Sequence, residues 1–176
     1  MPDRNGGVGR KGLNSKDATR RLDNDDWRIV ALLLKDGRTP TAQIAEQIGL
    51  SRPAVADRLD KLERQGVVRG TTAVVDPVAL GRNITAFVAA RGATLSPASW
   101  EKFRELMGRE EILEVHTVAG DDCYLMKVRA ESIGALNTLV QQLSAAPLSL
   151  STRTTIVMKT HCEKVGGIDL GAPNEA

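Results

Sequence analysis

The stretch TAQIAEQIGLSRPAVADRLDKLERQG, Thr41 to Gly66, restricts the possible folds more than any other part of this chain. Ile44, Ala45 and Ile48 recur at helical spacing in its first half, and Val55, Leu59 and Leu62 at i, i+4 and i+7 in its second. Gly49 between them suits the left-handed conformation that ends a helix, and Ser51 suits the cap of the next. Ala45 is small where two helices would cross, and Leu50 is placed to turn back into a core. The spacing predicts one helix over about Thr41–Ile48 and another from Ser51 until Gly66 stops it. Upstream, NDDWRIVALLLKD reads as a third helix. Asp23 caps it, Asp25 and Asp26 sit where the macrodipole favours carboxylates, and Gly37 ends it. Trp27, Val30 and Leu34 recur along it at helical spacing.

A short helical pair of this kind suits a helix-turn-helix, in which the second helix projects while its inner stripe stays packed. Opposite that stripe lie Pro53, Asp57, Asp60, Lys61 and Arg64, with Arg52, Ala54 and Arg58 towards the N-terminal half. The expectation is base-edge or adjacent contacts from Ser51, Arg52, Ala54 and Arg58, and phosphate contacts from Lys61 and Arg64. Asp57 and Asp60 oppose uniform phosphate attraction. They either pair with Lys61 or Arg64 along the helix, or one accepts from a cytosine amino group. The same spacing also fits an ordinary three-helix unit with solvated charges.

Beyond Gly66 the rhythm changes. VVRGTTAVV, residues 67–75, reads as extended, and DPVALGRN as a linker. Strand patterns follow at Ile84–Arg91, Ile112–Ala119, Cys123–Ala130 and Thr152–Lys159. Between them, helices display Trp100, Phe103 and Leu106, then Ile133, Leu136, Val140 and Leu143. Strand, helix, strand, strand, helix, strand is the split βαβ, or ferredoxin-like, order. Ala86, Val88 and Ala90 oppose Phe87 and Ala89 across the first strand, so both sheet faces carry apolar residues, and dimerisation through the sheet is expected. The fold class expected is α+β. A basic arm (1–21) leads to a helix-turn-helix, winged-helix-like domain (22–66), a strand and linker (67–83), a ferredoxin-like βαββαβ domain (84–165) and a tail (166–176).

Charge adds one clue. The net charge is +2, yet residues 1–22 hold six basic residues against Asp3 and Asp17, or +4, while residues 23–76 (eight against nine) and 77–176 (ten against eleven) are each −1. Such an arm is either a flexible strip drawn to phosphates or a solvated tail. No apolar run approaches the ~18 residues of a membrane span, and residues 1–21 lack a signal peptide's apolar centre, so a cytoplasmic protein without membrane partners is expected. Cys123 and Cys162 are too few for a disulfide framework and, with His116 and His161, show no paired metal-ligand spacing. The glycines of GGVG (6–9) follow no strand and precede no Gly-Lys-Ser/Thr, and no nucleophile–base set stands out. No metal, cofactor or enzymatic activity is expected. A DNA-wrapping architectural protein and a small enzyme on the ferredoxin-like domain are the alternatives.

Several motifs occur in order: LDxxDxxIxxxLxxDGR from Leu22 to Arg38, GLS from Gly49 to Ser51, and RLxxLExxGVxxGxTAxxxPxxLG from Arg58 to Gly81. Together with VAGDDCYLMKV, Val118 to Val128, they closely resemble the Lrp/AsnC, or feast/famine, transcription regulators over about residues 22–165. The resemblance implies a helix-turn-helix that binds double-stranded DNA sequence-specifically, joined to a sensing domain that dimerises through its sheets and assembles further, typically to octamers. It also implies an amino-acid effector bound between sensing domains at the glycine-acidic turn, here Gly120, Asp121, Asp122 and Cys123. One departure stands out: Cys123 occupies the place of the family's second carboxylate. Asp122, one position earlier, is the alternative for meeting an effector's ammonium group, and the amides after Gly120 suit a carboxylate.

Overall fold

The structure, a computed structural model, describes residues 22–164; the basic arm (1–21) and the tail (166–176) lie outside the described residues. Two compact units are built on residues 22–74 and 75–161.

The first unit is three helices: α1 (Asn24–Lys35), α2 (Thr41–Ile48) and α3 (Arg52–Arg64). Asp23 caps α1 by accepting from the Asp26 amide at 2.8 Å, and Asp26 reaches back towards the Asp23 amide at 3.4 Å, closing a capping box. Gly49 ends α2 at φ 76, and its amide and that of Leu50 both donate to the Ala45 carbonyl at 3.0 Å. Ile29, Ile44, Val55 and Leu62 are fully buried at the centre, each contributing roughly 1.5–3 kcal/mol of burial. Val67 and Val68 fold back onto this core, because Gly66 at φ 68 turns the chain after α3.

The α1 stripe read from the sequence differs from the one observed. Ile29 and Asp26 are the buried residues of α1, whereas Trp27 and Leu34 stay 48 % and 43 % exposed. The segment 67–75, expected to be extended, joins no ladder among the described residues. Val74 and Val75, at its end, lie exposed.

The second unit carries β1 (Ile84–Arg91), α4 (Pro97–Met107), β2 (Ile112–Thr117), β3 (Tyr124–Ala130), α5 (Ile133–Ser144) and β4 (Ser151–Ile156). The strands form one antiparallel sheet in the order β2-β3-β1-β4, as the split βαβ arrangement requires. Ser96 and Ser132 cap the two helices through their hydroxyls. Both helices pack on the face carrying Ala86, Val88, Ala90, Met126 and Val128, using Phe103 and Leu106 from α4 and Leu136, Leu139 and Leu143 from α5. Leu139 takes the buried place expected of Ile133, which is exposed. The other face presents Phe87 and Ala89 of β1 beside Leu125, Lys127, Arg153 and Thr155 of its neighbours. Phe87 is 40 % exposed there.

Candidate nucleic-acid interface and ligand turn

The surface that a DNA groove would meet begins at Ser51. Its hydroxyl accepts from the Ala54 amide at 3.3 Å, which starts α3 at an exposed end with Pro53 in the first turn. Ser51, Arg52 and Pro53 are exposed and Ala54 half-buried. Further along, Ala56, Asp57, Asp60, Glu63 and Arg64 are exposed, while Val55 and Leu62 are held in the core. Neither Arg52 nor Arg64 has an ion-pair partner among the described residues.

Arg58 and Lys61 sit differently from what the sequence suggested. Arg58 Nη1 donates to Asp26 at 2.7 Å and Asp23 at 2.6 Å, and Nη2 lies 3.5 Å from Asp25. Lys61 Nζ reaches the other oxygen of Asp26 at 3.1 Å. These two cations thus pair with the acidic N-terminus of α1, because Asp26 has no exposed surface and must be paired, while the Lys61 side chain stays 44 % exposed. The hydrogen bond from Arg58 is the main cause holding the Asp23 carboxyl below its ordinary value. Burial pushes Asp26 up, but hydrogen bonds from Arg58, Lys61 and the Asp23 amide outweigh it and leave the group lowered. Asp57 and Asp60 pair with neither Lys61 nor Arg64 among the described residues, so they leave acidic points on the outer face.

A further cation holds the turn. Arg28 of α1 donates to the Ile48 and Gln47 carbonyls at 3.1 and 3.0 Å, capping the last turn of α2 at its negative end. Sequence reasoning missed Arg28 and the buried role of Asp26. Asp26 lies three residues before Ile29 and Arg28 three after Asp25, a spacing that carries no mark separating a bridging charge from a solvated one.

In the second unit the turn between β2 and β3 carries Gly120 at φ 136, with open space where a side chain would be. Asp121 is exposed and has no ion-pair partner among the described residues. The Asp122 carboxylate accepts from Arg153 of β4 at 2.6 Å, and the Cys123 thiol lies 3.7 Å from the Gly92 carbonyl. Asp122, the alternative for meeting an effector's ammonium, is therefore paired with an exposed arginine, and Cys123, which stands where the family has its second carboxylate, faces a backbone acceptor. Only the strand register, with Ala89 opposite both Leu125 and Arg153, reveals how β4 reaches this turn. No His/Cys/Asp/Glu group that would hold a metal occurs among the described residues, and no described helix is long and apolar enough to cross a membrane.

A three-helix unit with a projecting, capped helix, followed by a βαββαβ unit with an acidic turn, defines a helix-turn-helix regulator with a separate ligand-binding domain. The profile of the AsnC-type helix-turn-helix domain matches residues 22–63, and that of the Lrp/AsnC ligand binding domain matches residues 85–166. The chain is similar to the HTH-type transcriptional regulator FL11 of Pyrococcus abyssi, 36 % identical over 142 residues covering 81 % of this chain and 93 % of that one. It is 35 % identical to the leucine-responsive regulatory protein of Escherichia coli, over 78 % of this chain and 85 % of the relative. The crystal structure of Mycobacterium tuberculosis LrpA superposes with a TM-score of 0.70 at 33 % identity, covering 81 % of this chain and 97 % of that one. The chain belongs to the Lrp/AsnC family of DNA-binding transcription regulators.

Proposed function

We propose that this protein is a cytoplasmic, non-enzymatic regulator that reads duplex DNA with the leading end of α3 and answers to an amino acid at the Gly120–Cys123 turn. The observation that carries the reading is the exposed start of α3, where Ser51 and the unpaired Arg52 stand clear of the core beside half-buried Ala54. Ser51, Arg52 and Ala54 face base edges, and Arg64 meets a phosphate one or more turns along. Arg58 and Lys61 hold the helix to α1, and their charge acts on the DNA only indirectly.

The chain works as a dimer through the free face of its sheet. Phe87, Ala89 and Leu125 give that face an apolar centre within a polar rim of Lys127, Arg153 and Thr155. Dimers assemble further, to octamers. The effector reading draws support from the name of the leucine-responsive relative and from the open backbone at Gly120. Asp121 is the carboxylate left to receive an ammonium group. Footprinting at several salt concentrations tests the first part: protection of a pseudo-palindromic site with half-sites about one turn apart supports it. Sequence-independent coating at moderate salt overturns it. Calorimetric titration with the common amino acids tests the second, and no heat with any of them removes the effector.

A further inference from the structure

One side of α1 is only partly covered by the described residues of its own unit. Trp27 and Leu34, two turns apart, are 48 % and 43 % exposed, and the half-buried Val30 and Ala31 lie between them at i+3 and i+4. The core side of the same helix, centred on Ile29 and Asp26, is turned roughly 120° away around the axis. α1 therefore carries a second apolar stripe of Trp27, Val30, Ala31 and Leu34, of which Val30 also packs against the three-helix core while Trp27 and Leu34 keep large exposed surface.

We propose that the second stripe packs against the same stripe of a second copy, antiparallel, about a two-fold axis passing between Val30 and Ala31. The charges at its ends select this occupant. At one end stands Asp23, whose side chain is half exposed; at the other stand Lys35 and Arg38, exposed and without ion-pair partners among the described residues. An antiparallel copy places Trp27 against Leu34 twice and brings each acidic end to a basic one, with the helix dipoles opposed. A parallel copy brings like ends together. The contact is self-complementary and closes on itself, as a two-fold interface must.

Four side chains from each copy fall well short of the ~800 Å² per partner of a stable interface, so this contact rests on the dimer proposed through the sheet. Its role is to fix the distance between the two α3 helices, and with it the half-site spacing the protein accepts.

The test uses the full chain with Cys123→Ser and Cys162→Ser, a single new cysteine and a short bismaleimide. Ala31→Cys marks the axis, and Glu46→Cys on the exposed side of α2 is the control. The expected result is covalent dimer from Ala31→Cys at least about tenfold faster than from the control, since the second thiol is held at high effective concentration. Adding Trp27→Glu returns the rate to the control value while light scattering still shows a dimer. If Trp27→Glu loses helical circular dichroism, Leu34→Lys on the exposed rim takes its place. Equal rates at the two positions in a protein that remains dimeric overturn the α1 contact and leave the sheet dimer standing. A monomeric chain overturns both.

Discussion

The guanidinium of Arg58 lies 2.7 Å from the carboxylate of Asp26, a side chain on another helix with no exposed surface. This pair, backed by Asp23 and Lys61, ties α3 to the N-terminus of α1. Arg58→Ala leaves a buried carboxylate with only Lys61 and the Asp23 amide, and should cost about 2–3 kcal/mol in urea unfolding. DNA affinity should fall evenly across operator variants. A change of base preference at a single operator position would return Arg58 to the reading surface.

Acid should loosen the same joint. Asp23 and Asp26 are both lowered from an ordinary value of 3.8, so the unfolded chain takes up their protons first as pH falls. Their stabilisation is complete well above 3.8 and disappears as pH drops below it towards the folded values. With Trp100→Phe leaving Trp27 as the fluorophore, the unfolding midpoint of the helical unit should fall below about pH 4. Asp26→Asn should flatten that slope, at a lower stability near neutrality. An unchanged slope would mean the joint carries no proton linkage.

Arg52 and Arg64 should fail in different ways. Arg64→Ala should weaken all sequences alike and reduce the salt slope of log affinity by about 1. Arg52→Ala should cost about 1–3 kcal/mol on the preferred site and little on random DNA. Competition binding against a randomised operator separates the two, and matching losses for both variants would remove Arg52 from base reading.

Gly49 tests the turn on its own. Its φ of 76 is the left-handed region, and a Cβ there would meet nothing within 4 Å. Gly49→Ala should therefore cost only the conformational penalty, about 1–2 kcal/mol, with no packing clash. Gly49→Asn should recover part of it. A larger loss would show that the angle between α2 and α3 depends on more than this residue.

The helix-turn-helix was legible because its signals are local. Gly49, Ser51 and the Val55–Leu59–Leu62 spacing act within one or two turns of chain, and the strand-helix order of the second unit follows from periodicity alone. What stayed hidden depends on neighbours far away in sequence. Arg58 and Lys61 look like outward cations until Asp26, more than thirty residues upstream, is found buried beneath them. Trp27 and Leu34 keep a helical spacing of their own, seven residues apart, and only the placement of α2 and α3 decides that the side of Ile29 is the one fully covered. Asp122 reads as an available carboxylate until the register brings Arg153 of β4 across to it.

The division of labour along α3 also bears on how such a protein changes targets. Positions 58 and 61 pair with the acidic end of α1, whereas 52, 57, 60 and 64 are exposed and have no ion pair among the described residues. On the proposed reading surface, substitutions at this outer set would alter operator contacts while the ion pairs that tie α3 to α1 stay in place.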